Sequence, residues 1–298
     1  MHSQIVEISD LIKTRLSFDE WKSMEAEHQK KVSVLIDEYL DKRSRAIKQP
    51  VMDFLFEYYP FRPSWLKKWS PGIAVGLEIA DREELPPVNN WQIEDQVAFL
   101  TPESIPEKRL KSFKWILHLL KSTQDRRPAF GCFGMHEWAM VYKSEQIRHG
   151  QVPLRMESDE LAEFVESRPL VCTHFDAFRF FTPDAAPLNK HHLTRQTFAD
   201  MEQPGCIHSN MDLYKWAFKG FPWISSDTVF AAFQLANEAR TVDMKASPYD
   251  LREHGIEPIK IETEAGRKEY LEAQQTIFEN GIPVREQIIK EYEGILSL

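Results

Sequence analysis

Apolar side chains recur at helical spacing along most of this chain. Between Ser17 and about Ile47, Trp21, Met24, Val32, Leu35, Ile36 and Tyr39 follow the period of an α-helix. Ser17, with Glu20 three residues later, has the form of a capping box. Leu110, Phe113, Trp115, Ile116, Leu117 and Leu120 give the stretch from Glu107 to about Leu120 a broad apolar face. The pattern predicts further helices over 136–147, 158–165, 208–219, 226–244 and 264–298, the last with a break or kink near Gly281–Pro283. One segment departs from this period. From Leu170 to Phe181, Cys172, His174, Asp176, Phe178 and Phe180 alternate with other residues, which predicts a short strand.

Between these runs, Phe54 to Trp69 is a dense aromatic cluster broken by prolines, and residues 81–106 are turn-rich and acidic. There is no fixed-period repeat and no regular strand–helix alternation. The expected fold is mainly α with at most a few short strands. It forms a single compact helical domain over 1–298, with 1–50 as an N-terminal helical segment and 81–106 as a loop excursion.

Composition narrows the function classes. In 298 residues, 42% hydrophobic and 12% aromatic content is enough to build a core. Apolar runs are too short for a membrane span, and the first ten residues lack the charged and apolar regions of a signal peptide. Three cysteines in a chain of this length point to a reducing compartment, so a cytoplasmic protein is expected. The net charge of −9 opposes tight duplex binding. Lys108, Arg109, Lys111, Lys114, Lys121, Arg126 and Arg127 form one basic cluster, read as the solvated face of a helix. Dinucleotide and P-loop signatures are absent.

Candidate chemistry concentrates between Gly131 and Trp216. Seven of the ten histidines fall between His118 and His208, and all three cysteines lie in the same region. Three islands set a histidine beside a carboxylate among aromatics. In the first, His136 and Glu137 are adjacent and point about 100° apart on a helix. In the second, His174 and Asp176 share a face if the segment is a strand. In the third, His208 and Asp212 are one helical turn apart. Pairs of this kind offer two ligands to a metal, or a base and its orienter. Cys132 and Cys206 stand near His136 and His208 but read as core thiols. Arg240 and Asp243 are candidates to close one side of the site.

Four pieces of the chain, Tyr59-Pro-Phe-Arg-Pro63, Gly131 to Tyr142, Gln203-Pro-Gly-Cys-Ile-His208 through Trp216, and Asp243-Met-Lys-Ala-Ser-Pro-Tyr-Asp250, resemble a bacterial family commonly labelled 3-methyladenine DNA glycosylase. The resemblance implies an enzyme that cleaves the N-glycosidic bond of an alkylated purine, with DNA or a nucleobase as partner. Such a reaction needs an aromatic pocket and a carboxylate. Trp138, Tyr142, Phe178, Tyr214 and Trp216 are candidates for the pocket, and Asp176 or Asp212 for the carboxylate, with His174, His208 and Glu137 beside them. The helix-hairpin-helix and helical-repeat signatures of well-understood alkyladenine glycosylases are absent.

The histidine and carboxylate islands support a second reading, a metal-dependent oxidoreductase or hydrolase. Its ligands would come from His136, His174, Asp176, His208 and Asp212, holding iron or zinc. A third reading is a non-enzymatic helical protein that holds a small ligand among its aromatics. The sequence leaves the oligomeric state open.

Overall fold

A computed structural model describes residues 12–144 and 152–297. It is 58% helical and 6% strand, which bears out the mainly α expectation. In chain order the elements are β1 (Thr14–Leu16), α1 (Phe18–Ser44), α2 (Pro50–Tyr58), β2 (Val75–Glu78), β3 (Gln92–Glu94), β4 (Val97–Phe99), α3 (Glu107–Gln124) and α4 (Met135–Ala139). They continue as α5 (Ser158–Glu166), α6 (Phe175–Phe178), α7 (Phe198–Met201), α8 (Ile207–Met211), α9 (Leu213–Gly220), α10 (Ser226–Ala246) and α11 (Glu264–Ser297). Among the described residues, no helix is long and apolar enough to cross a membrane.

Two compact units divide the chain. The first takes the chain up to His118, Leu213–Gln234 and the residues from Val284 onward; the second takes Leu119–Asp212 and Leu235–Pro283. The first unit carries a four-stranded sheet in the order β1-β2-β4-β3. β1 runs parallel to β2, with Arg15 opposite Gly76, and β4 is antiparallel to both β2 and β3. Two of the four strands therefore lie in the turn-rich stretch 81–106.

The helix over α1 begins as expected, with Glu20 accepting from the Ser17 amide at 2.8 Å. Trp21, Val32, Ile36 and Tyr39 are buried, whereas Met24 is exposed. Trp21 stacks on Trp69, packs with Leu77 and Ala98, and donates its indole N–H to the Glu78 carbonyl. Tyr214 packs edge-on against Tyr59 and Phe61, and Trp216 against Trp115. These two aromatics, expected in a substrate pocket, are core of the first unit. The basic cluster is not one solvated face either, because Arg109 donates to the Lys219 and Phe221 carbonyls.

The second unit contains the three islands. The expected strand over 170–181 is instead a short extended stretch followed by α6. Two side chains explain this. Asn189 accepts from the Cys172 amide and donates to the Cys172 carbonyl, so its amide satisfies both groups as a neighbouring strand would. His174 then caps α6 by accepting the Ala177 amide on Nδ1. The helix expected over 136–147 is the five-residue α4, and its last three positions lie outside the described residues. The helix expected over 208–219 is two, α8 and α9, which meet at Asp212. α11 continues through Pro283 as one element.

Candidate metal centre

The turn before α4 sets the first island in place. Phe133 and Gly134 both adopt left-handed backbone, with φ of 48° and 75°. Such a conformation is strained for a residue with a side chain and is found where the surroundings hold it. A Cβ on Gly134 would stand 3.1 Å from Ala246 Cβ, so this turn packs directly on α10. The result places Cys132 and His136 one turn apart, with Cys132 Sγ 3.3 Å from His136 Nδ1.

From α10, Asp243 and Arg240 face the same point. His136 Nε2 lies 2.8 Å from Asp243 Oδ1. The Arg240 guanidinium donates to the other Asp243 oxygen and, at 2.8 Å, to Glu137 Oε1. His136, Glu137, Arg240 and Asp243 are all buried. Buried charges of this kind persist only when each is matched by a close partner. Glu137 is thus the outer partner of Arg240.

His208 enters from α8. Its ring centroid is 4.5 Å from that of His136 and 5.3 Å from that of His174. Its Nε2 lies 3.9 Å from Asp243 Oδ2. On the far side, His174 Nε2 faces Asp212 Oδ2 at 3.4 Å and Glu202 Oε1 at 3.9 Å. The three imidazoles therefore form a row, with Asp243 at one end and Asp212 at the other. His208 and Asp212 sit four positions apart as expected but reach different neighbours, because α8 ends at Met211 and Asp212 lies in the turn before α9.

The row divides by chemistry. Because His174 Nδ1 accepts the Ala177 amide, the proton of its neutral ring lies on Nε2, which faces the Asp212 and Glu202 carboxylates and offers no lone pair to a metal. His136, His208 and Asp243 are different. One ligand atom from each lies within 4.8 Å of the others. Metal–nitrogen and metal–oxygen bonds of about 2.0–2.2 Å put neighbouring ligand atoms about 3–3.5 Å apart. His136 Nε2 and Asp243 Oδ1, 2.8 Å apart, lie just inside that spacing, and His208 Nε2, 3.9 Å from Asp243 Oδ2, lies just outside it.

Their protonation states follow from the contacts. Burial pushes both imidazoles down. At His136 the neighbouring Asp243 and Cys132 outweigh burial and hold it well above the ordinary histidine value. At His208 burial and the adjacent His136 win, and it is held well below. Burial pushes Asp243 up, but His136 and His208 outweigh it and keep the carboxyl far below the usual range. Burial raises the Cys172 and Cys206 thiols, so both are protonated.

A cavity of about 200 Å³ adjoins this group, lined by His136, His208 and all three cysteines together with Tyr270 and Gln274. No disulfide joins the cysteines. Gly205 is required by the wall, because a Cβ there would stand 2.9 Å from the Ala129 backbone. Of the residues expected from sequence, His136 and His208 line the cavity. Trp138 is buried, donating to the Ala246 carbonyl, and Tyr142 bonds Glu166. Phe178 packs on Phe181, and Asp176 pairs with Arg179 on α6. Tyr270, Gln274 and Glu202 escaped the sequence reading. Tyr270 and Gln274 are four apart on α11, a spacing that in an amphipathic helix signals only a shared face.

Searches against protein-family models, curated proteins and solved structures return no match to this chain.

Proposed function

We propose that the protein is a metal-dependent enzyme in which His136, His208 and Asp243 hold one iron or zinc ion beside a small-molecule cavity. One observation carries this reading: two imidazoles and a carboxylate, brought together from α4, α8 and α10, converge within 4.8 Å of one another next to a cavity. Two of the three are already in the state a metal requires, His208 neutral and Asp243 ionised. Two histidines and a carboxylate leave open positions on the ion, the arrangement used for oxygen chemistry or hydrolysis.

The chain's own residues have separate tasks. Arg240 orients Asp243 by occupying its second oxygen, and Glu137 holds Arg240. Cys132 sits on the far nitrogen of His136 and sets which nitrogen faces Asp243. Such outer partners fix the geometry of ligands and tune affinity. His174, Asp212 and Glu202 extend the polar row behind His208.

The N-glycosidic reading rests on the resemblance of the four sequence pieces. Trp138, Tyr142, Phe178, Tyr214 and Trp216 do not line the cavity, so it gains no stacking wall from them. Two assays separate the readings. Elemental analysis of protein purified without chelator should find about one iron or zinc per chain, lost in His208→Ala. Release of free methylpurine from alkylated DNA by metal-free protein, abolished in Asp212→Asn, would instead favour base excision.

A further inference from the structure

We propose that the cavity takes a small ligand carrying an amide-type group, whose N–H donates to Gln274 Oε1 and whose carbonyl accepts from the Tyr270 hydroxyl. The inference rests on the cavity being the site described above, and it specifies what enters. Gln274 is 1% exposed, and its Nε2 donates to the Gly205 carbonyl at 2.7 Å. That bond fixes which end of the side-chain amide is nitrogen and leaves Oε1 as the remaining acceptor. Oε1 is buried without a partner, and so is the hydroxyl of Tyr270, a residue 0% exposed. The two atoms do not bond each other, and both residues line the cavity.

Buried polar atoms are almost always hydrogen-bonded, so two orphans on one cavity wall require an explanation. A neighbouring side chain shows the contrast. Gln203 lines the same cavity but uses its whole amide internally, accepting from the Ala129 and Gly205 amides and donating to the Ala129 carbonyl. Gln274 and Tyr270 are the groups held in reserve.

Their chemistry selects the ligand. Gln274 Oε1 only accepts, so the ligand must donate. The Tyr270 hydroxyl is best used by an acceptor. A carboxylate brings no donor for Gln274 Oε1, while an ammonium brings no acceptor for the Tyr270 hydroxyl. A carboxamide, urea or lactam supplies both while remaining neutral, which a buried cavity favours over a charge. The volume of about 200 Å³ restricts the ligand to a small molecule. The lactam edge of a nucleobase has the same chemistry.

Ligand-detected NMR with acetamide, N,N-dimethylacetamide and uracil tests this on the whole protein. Acetamide should bind, and N,N-dimethylacetamide, which has no N–H, should bind about tenfold more weakly, as for one lost hydrogen bond. Gln274→Leu should abolish that preference. Tyr270→Phe removes a single oxygen and should weaken acetamide; it carries the test should Gln274→Leu fail to fold. Tighter binding of uracil than of acetamide would identify the lactam edge as the source. Equal binding of the two acetamides, or no binding of acetamide and uracil to the wild type, would overturn the inference. Metal content measured on the same samples keeps the outcomes apart. Metal without the preference sinks only this inference, and the preference without metal sinks only the metal reading.

Discussion

His136 and His208 stand with ring centroids 4.5 Å apart, yet Asp243 divides them: its carboxylate is 2.8 Å from one and 3.9 Å from the other. Both rings are buried, so the closer contact decides that His136 is charged while His208 is neutral. An ion bound among the three must displace the His136 proton. Calorimetric titration of Zn(II) near neutral pH, in two buffers of different ionisation enthalpy, should therefore report release of about one proton per ion. Binding without proton release would place the ion elsewhere.

Arg240 is a buried cation shared by two buried carboxylates, Glu137 and Asp243. Truncating it takes the cation from Glu137 and leaves Asp243 with His136 alone. Arg240→Ala is expected to lose about 3–5 kcal/mol of stability in urea unfolding, the cost of breaking a buried pair. A loss below about 1 kcal/mol, the range of an exposed pair, would show that water reaches these groups.

The unpartnered hydroxyl of Tyr270 predicts a stability change of the opposite sign. Removing a buried group that bonds nothing relieves its desolvation cost, so Tyr270→Phe should raise ligand-free stability by about 1 kcal/mol. A destabilised variant would mean the hydroxyl has a structural partner.

In the first unit, His28 is buried with Nε2 2.8 Å from the Leu66 carbonyl. Burial lowers its pKa. The unfolded chain takes up a proton near the ordinary value of about 6.5, where folded His28 does not. The unfolded state therefore binds more protons below that pH, and stability falls as pH drops through about 6.5. His28→Gln should flatten this part of the stability profile measured by urea midpoints. An unchanged slope would assign the acid sensitivity to other groups.

Helices were legible in the sequence wherever burial followed their period, as at Trp21, Val32, Ile36 and Tyr39. The strand over 170–181 was misread because alternation is a local signal. The Asn189 amide and the His174 cap, which redirect the segment, are contacts no period encodes. The islands at His136 and His208 were visible as a concentration of unusual residues. Their separation from His174 was not, because it depends on one backbone N–H occupying His174 Nδ1. Asp243 stood out beside Arg240, but its role depends on α10 meeting α4. Tyr270 and Gln274 look in sequence like ordinary members of a long helix.

His136, His208 and Asp243 are proposed to hold one metal ion. Equilibrium titration of chelator-treated protein with Fe(II) or Zn(II) tests it most directly. One site per chain is expected, lost in His136→Ala, His208→Ala and Asp243→Ala but kept in His174→Ala, whose Nδ1 is taken by the Ala177 amide. A wild-type chain that takes up no metal, or uptake unaffected by those three substitutions, would contradict it.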